Sequence, residues 1–154
     1  MRATSKSWKT QPLPVDRARL ALERSFDPID WAALKFGFIP EEMEDKWFIY
    51  EEDGWLSFHR SWTGFCVYRV GFRKAPNGME IAEAWVNRKT AEYSCVDDAY
   101  DAGVLSWLID VLLLKRTAGY PDAGLGEGPG LLRQWGEVGR AMLWGHSAGE
   151  EPQA

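Results

Sequence analysis

The chain predicts an α+β fold: a four-stranded antiparallel meander, about residues 46–88, packed with N-terminal and C-terminal helices. Three observations lead there. Asp53-Gly54, Thr63-Gly64 and Asn77-Gly78 punctuate the run 47–88, and such dipeptides close short hairpin loops between antiparallel strands. Between them lie β-branched and aromatic residues at strand length, which suit a half-buried pleated surface. After the meander, residues 96–116 are apolar nearly all round, with Val104, Leu108, Val111 and Leu112 at helical spacing. A helix of that kind is buried on most of its surface.

The elements follow in order. Residues 1–14 hold Ser, Thr, Lys and two prolines without periodicity and read as a flexible tail with Trp8 as its apolar anchor. Asp16 caps an expected helix over 16–26 that turns Leu20, Leu22 and Phe26 to the core. Asp27-Pro28 then supplies an N-cap followed by proline at the first helical position. That second, short helix ends near Gly37, with Ile29, Trp31, Leu34 and Phe36 as its packing residues. Pro40 and the acidic stretch 41–45 lead into the meander.

Beyond it, Ser94-Cys95-Val96-Asp97 resembles a capping box with Asp in place of Glu. Asp97, Asp98 and Asp101 at the start of helix 96–116, and Lys115 and Arg116 at its end, complement the helix dipole. Residues 117–130 carry five glycines and two prolines and form a loop. They lack the Lys and Ser/Thr of a phosphate cradle. Leu131, Trp135, Val138 and Met142 then share one face of an amphipathic helix over 131–144, weakened by Gly136 and Gly139. Residues 15–145 are thus expected as one domain, with 146–154 a flexible C-terminus.

At 154 residues the chain can bury a core without staples. Eighteen basic against 23 acidic residues give a net charge of −5, which argues against nucleic acid or an anionic membrane as partner. Cys66 and Cys95 form no CxxC pair, so neither a disulfide scaffold nor a zinc ribbon is indicated. No ligand spacing brings His59, His146, Cys66 and Cys95 together. No metal and no cofactor are expected. The N-terminus lacks an apolar signal core, and Asp110 interrupts the most apolar stretch, so a cytoplasmic location is expected.

If each dipeptide forms a two-residue loop, Glu52 lies opposite Trp55 and Trp62 opposite Phe65. Counting outward, one face collects Trp47, Ile49, Leu56, Phe58, Arg60, Val67 and Arg69, joined by Ala82, Ala84 and Val86 from the last strand. This face goes beneath helix 96–116. The other collects Phe48, Tyr50, Trp55, Ser57, His59, Ser61, Cys66, Tyr68 and Val70, joined by Glu83, Trp85 and Asn87, with Tyr68 opposite Asn87. A bulged loop beside Pro76 is the alternative, and would swap the faces of the last strand.

The second face carries the functional expectation. His59, Tyr68, Trp85, Tyr50 and Asn87, with Arg60, are the candidate ligand-binding residues, because an aromatic surface holding a few convergent polar groups suits a small ligand or peptide. His59 is also the candidate general base, with Ser57 or Ser61 as nucleophile and Glu83 as orienting carboxylate. Same-face neighbours on a strand sit about 7 Å apart, beyond the roughly 3 Å that proton transfer needs. The competing reading has His59 hydrogen-bonded to Tyr68 or to a backbone carbonyl. Arg60 and Arg69, on the core face, must reach the rim, pair with an acid or bind an anion.

Three functions stay open on this basis. The preferred one is a non-catalytic binding or accessory module with a small ligand or protein partner. A small hydrolase-like or transfer enzyme on an anionic substrate is the rival, with His59 as base and Arg60 or Arg69 as anion clamp. A protein-interaction or self-associating chain, forming a homodimer through 131–144, is the third. The segment Lys46-Trp47-Phe48-Ile49-Tyr50 through Phe58-His59-Arg60-Ser61-Trp62-Thr63-Gly64-Phe65 resembles one found in small bacterial proteins of unassigned activity. That resemblance implies a class of protein and brings no activity, cofactor or catalytic residue.

Overall fold

Asp53 and Gly54 both take left-handed φ angles, 55° and 82°, the pair that turns a tight hairpin with the twist of its strands. The turn joins β3 (Trp47–Glu52) to β4 (Trp55–Arg60) with Glu52 opposite Trp55, as counting from the dipeptide gives. β5 (Cys66–Ala75) and β6 (Gly78–Asn87) complete the antiparallel meander. A computed structural model describes residues 1–120. Most of the expected loop 117–130, the segment 131–144 and the terminus 146–154 lie outside the described residues.

The sheet is larger than the meander. The expected helix over 16–26 is instead two short strands, β1 (Arg17–Leu20) and β2 (Ser25–Phe26), both paired antiparallel with β6. Six strands result, in the order β1-β6-β5-β4-β3 with β2 also on β6. Unpaired, β6 would present a long row of backbone donors and acceptors, and Arg17-Ala18-Arg19-Leu20 alternates polar and apolar with the period of a strand. That alternation, with Leu20 buried and both arginines exposed, outweighs the helical spacing of Leu20, Leu22 and Phe26.

Two bulges adjust the expected faces. The connection from Arg60 to Phe65 holds four residues rather than two, with the Arg60 N–H on the Phe65 carbonyl at 2.9 Å. Counting sets His59 opposite Tyr68, whereas His59 pairs with Cys66 and Phe58 with Tyr68, leaving Val67 as the extra residue. The last hairpin turns on Pro76-Asn77 rather than Asn77-Gly78, with Ala75 opposite Gly78, and a second irregularity sets Phe72 against Ile81 and Gly71 against Glu83, leaving Ala82 extra. β5 therefore slides by one position relative to both neighbours, and the two shifts cancel across it. Ser57 and Trp85 stay aligned as counted, but Arg69 stands between them where Val70 was expected. Tyr68 pairs with Val86 rather than Asn87.

The helices lie on the face that holds Trp47, Ile49, Phe58, Tyr68, Val70 and Val86. α1 (Pro28–Phe36) starts as expected, Asp27 accepting from the Asp30 N–H at 2.7 Å with Pro28 at the first position. Its packing is narrower than expected. Leu34 is buried and Trp31 lies 4.8 Å from Phe72, whereas Ile29 is 79% and Phe36 51% exposed. At 3.6 residues per turn these two point away from Trp31 and Leu34. α2 (Asp98–Leu108) is capped by Asp97 through the Tyr100 N–H at 3.0 Å, not by Ser94, and runs into a π-helical turn, Ile109–Leu113. It buries Val104, Leu105 and Leu108 completely.

Residues 1–14, read from the sequence as a tail, touch the domain at several points. The Ala3 N–H donates to the Phe36 carbonyl at 2.8 Å, Trp8 Nε1 to the Ser61 carbonyl at 2.7 Å and the Gln11 N–H to the Gly64 carbonyl at 2.8 Å. Arg2 pairs with Glu51 at 2.7 Å.

One polar cluster sits inside the core. Asp101, 0% exposed, accepts from Tyr68 Oη at 2.7 Å and Tyr93 Oη at 2.5 Å, and its other oxygen lies 2.9 Å from Arg88 Nη1. A buried charge persists only when so compensated. Asp101→Asn should lower the unfolding free energy by about 3 kcal/mol, read from the shift of a urea midpoint. A loss below about 1 kcal/mol, the level of an exposed pair, would show that Asp98, the other carboxylate on Arg88, suffices.

Candidate functional site

His59 is 3% exposed. It is closed in by Tyr50, stacked at 5.7 Å and 14°, by Phe48 at 6.1 Å and by the turn that follows β4. Its Nδ1 lies 2.9 Å from the Gly64 carbonyl. A carbonyl only accepts, so Nδ1 carries the proton and Nε2 keeps a lone pair. Nε2 is buried with no hydrogen-bond partner among the described residues. Burial drives the His59 pKa below its ordinary 6.5, the Gly64 bond opposes this, and Arg69 adds a smaller lowering.

Of the two structural alternatives for His59, the backbone carbonyl is the partner and Tyr68 is not. Tyr68 lies on the helix side of the sheet, bound to Asp101, because of the bulge at Val67. No catalytic pair forms with serine. Ser61 Oγ donates to the Asp45 carbonyl at 2.6 Å, and neither Ser57 nor Ser61 hydrogen-bonds to His59. Asn87 is equally structural. It is fully buried, its Nδ2 donating to the Cys66 carbonyl at 2.8 Å and to Glu92 at 3.0 Å, its Oδ1 accepting from the Lys89 N–H at 2.7 Å. Arg60 stands at the edge of the core, 4.7 Å over the Trp47 ring and 6.0 Å from that of Tyr93. The six candidate residues therefore do not converge.

Two of them, Tyr50 and Trp85, remain half-buried on the side away from the helices, and the slide of β5 brings Arg69 beside them. Arg69, expected on the core face, is exposed, which removes the cost of burying it. Its guanidinium carbon sits 4.7 Å from the Trp55 ring. That ring in turn lies on Gly71, where a Cβ would come within 2.9 Å of it. Any side chain there would have to displace the indole that covers the position. Trp85 pairs across the sheet with Arg69 on one side and with Arg19 on the other. Directly opposed side chains have Cβ atoms about 5 Å apart, so the indole has an arginine on each flank.

The Trp85 Nε1 donates to Glu83 at 2.6 Å, which directs the ring along β6 toward a cleft of about 700 Å³. The cleft opens where residues 21–24 leave β6 between β1 and β2. Arg19 and Glu83 line it together with Leu22, Arg24, Arg73 and Glu80. Arg73 and Glu80 are paired at 2.5 Å, and Arg24 is held by Asp110 at 2.9 Å. Sequence reasoning misses Arg19 and this cleft, although the alternation of residues 17–20 marks the strand that carries both.

Among the described residues no three His, Cys, Asp or Glu side chains gather as a metal site, and no helix is long and apolar enough to cross a membrane. Burial pushes the Cys66 thiol up to about 12, so it stays protonated near neutrality. No protein-family model, curated protein or solved structure matches the chain.

The lowered His59 pKa has a sign. Below pH 6.5 the unfolded chain binds a proton at this position that the folded chain resists, so stability is complete above that pH and declines as pH falls through 6.5 toward the folded value. Urea unfolding of wild type and His59→Gln, followed downward from pH 7.5, should show a decline in wild type that the variant lacks until carboxylates titrate. Parallel curves would contradict the buried neutral imidazole.

Proposed function

We propose that the chain is a non-catalytic binding module whose ligand lies on the open side of the sheet, across Arg69, Trp85 and Arg19 and into the adjoining cleft. A single observation carries the reading: strand register sets one tryptophan between two arginines, on the side opposite the helices, beside a hollow of about 700 Å³. Small-molecule sites occupy roughly 300–1,000 Å³; this hollow is lined mainly by charged side chains, Arg19, Glu23, Arg24, Arg73, Glu80 and Glu83, and Trp85 supplies the apolar surface beside it.

Preorganisation supports it. The Trp55 ring holds the Arg69 guanidinium, and Gly71 leaves room for that ring, so part of the ordering cost of binding is met before the ligand arrives. Local charge supports it as well. Arg17, Arg19 and Arg69 share this side with Glu83, whose carboxylate is engaged by Trp85. The Arg69 end of the patch is therefore positive on a chain whose net charge is −5 and favours an anion, while the cleft balances Arg19, Arg24 and Arg73 against Glu23, Glu80 and Glu83. The hydrolase-like alternative drew on an accessible His59, and that imidazole is enclosed.

Amide NMR of the full chain, titrated with carboxylates, nucleotides and short peptides of either charge, tests the proposal. Shifts should concentrate at Arg19, Trp55, Arg69 and Trp85, including both indole N–H signals. Arg69→Ala and Trp85→Ala should each weaken binding about tenfold, near the roughly 1.5 kcal/mol of a hydrogen bond to a charged group, with circular dichroism unchanged. Shifts centred on His59, or none on this side of the sheet, would overturn it.

A further inference from the structure

Resting on that reading, we infer that the ligand is a small molecule joining one flat ring to a carboxylate or phosphate, rather than an extended acidic peptide. Arg69 supplies the first reason. Arg2, Arg24, Arg73, Arg88 and Arg116 are each paired with a carboxylate, whereas the Arg69 guanidinium has a ring against its face and no hydrogen bond or ion pair with a described residue. What it offers is its edge, a fork of N–H donors matched to the two oxygens of a carboxylate or phosphate.

The number of rings supplies the second. Trp55 is taken up by Gly71 beneath it and Arg69 against it. Trp85 is left as the stacking surface, flanked by arginines and turned toward the cleft by its bond to Glu83. Arg19 donates from Nη2 to the Ala82 carbonyl at 3.3 Å, so the Arg69 edge is the open fork beside this ring, and the pair fits a ligand with one ring and one anion. A single-stranded nucleic acid would need successive stacking surfaces.

A peptide fits less well, because the face of a sheet has no backbone groups to give. The N–H and C=O groups of β5 and β6 are spent in the ladders with their neighbours. An extended peptide laid across them would bury its own polar groups without partners, which is why peptides add to sheet edges instead. Glu83 adds a preference within the class. It lies beside Trp85 and would repel the ligand's anion, so the anion belongs at Arg69 and a ring N–H or O–H donor at Glu83.

Calorimetry and the Trp85 indole N–H signal of the full chain decide between these. Indole-3-acetate and adenosine 5′-monophosphate are the ring anions, indole and adenosine the neutral rings, acetate and inorganic phosphate the ringless anions, and hexaglutamate the acidic peptide. At least one ring anion should bind about tenfold or more tighter than its neutral ring and its ringless anion. Arg69→Lys should abolish that margin over the neutral ring, and Trp85→Leu the margin over the ringless anion. Which ring anion prevails separates carboxylate from phosphate. If hexaglutamate moves the indole signal more than either ring anion, or a neutral ring binds equally well, the inference falls while the binding-module reading stands. If no probe moves any signal on this side of the sheet, both fall.

Discussion

A carboxylate with no access to water sets the terms for this domain. Asp101, in the first turn of α2, must find its counter-charge and its donors inside the protein. It does so from three directions, through Arg88 just beyond β6, Tyr68 on β5 and Tyr93 in the segment leading to the helix. Apolar packing alone would let a helix slide on a sheet, whereas three directed partners give α2 one seat. Tyr68 can reach that carboxylate only if it faces the helices, and that requires the extra residue at Val67. The same half-twist of β5 puts Arg69 on the opposite side. The phenol that holds the buried acid and the exposed, ring-backed arginine are thus neighbours in sequence that one backbone irregularity sends in opposite directions.

Much of the meander can be read from residues alone. Asp53-Gly54 fixes the β3–β4 register, Asp27-Pro28 marks the start of α1, and the apolar run after residue 96 marks the buried helix. What escapes is long-range. A bulge has no side-chain signature, so Val67 and Ala82 look like ordinary strand residues. Helical and extended readings of residues 16–26 both place Leu20 and Phe26 inside, and the edge of β6, some sixty residues away, makes the choice. His59 shows the same limit. Its face follows from counting, but its enclosure depends on the form of the 61–64 turn. Of the candidate site, Trp85 and Tyr50 are found at their expected side of the sheet, Tyr68 is not, and Asn87 is consumed by structural bonds.

The electrostatics of the open side depart from those of the whole chain. A net negative charge describes the average, whereas recognition depends on what lies within a Debye length or so of the ligand. Trp85 has a guanidinium on each flank, and the carboxylate next to it, that of Glu83, accepts a hydrogen bond from its indole N–H. Global charge is a sound guide to long-range attraction and a poor one to a pocket.

The cancelling offsets on either side of β5 bear on how this architecture can diverge. A relative that took Val67 into the regular ladder at unchanged length, while keeping the extra residue at Ala82, would rotate its middle strand and the strands beyond it out of phase with α2, turning guanidinium inward and phenol outward. Deleting either extra residue outright would turn no neighbour over, whereas a lineage that slipped the pairing at only one of the two positions would have to replace the acid on its helix too.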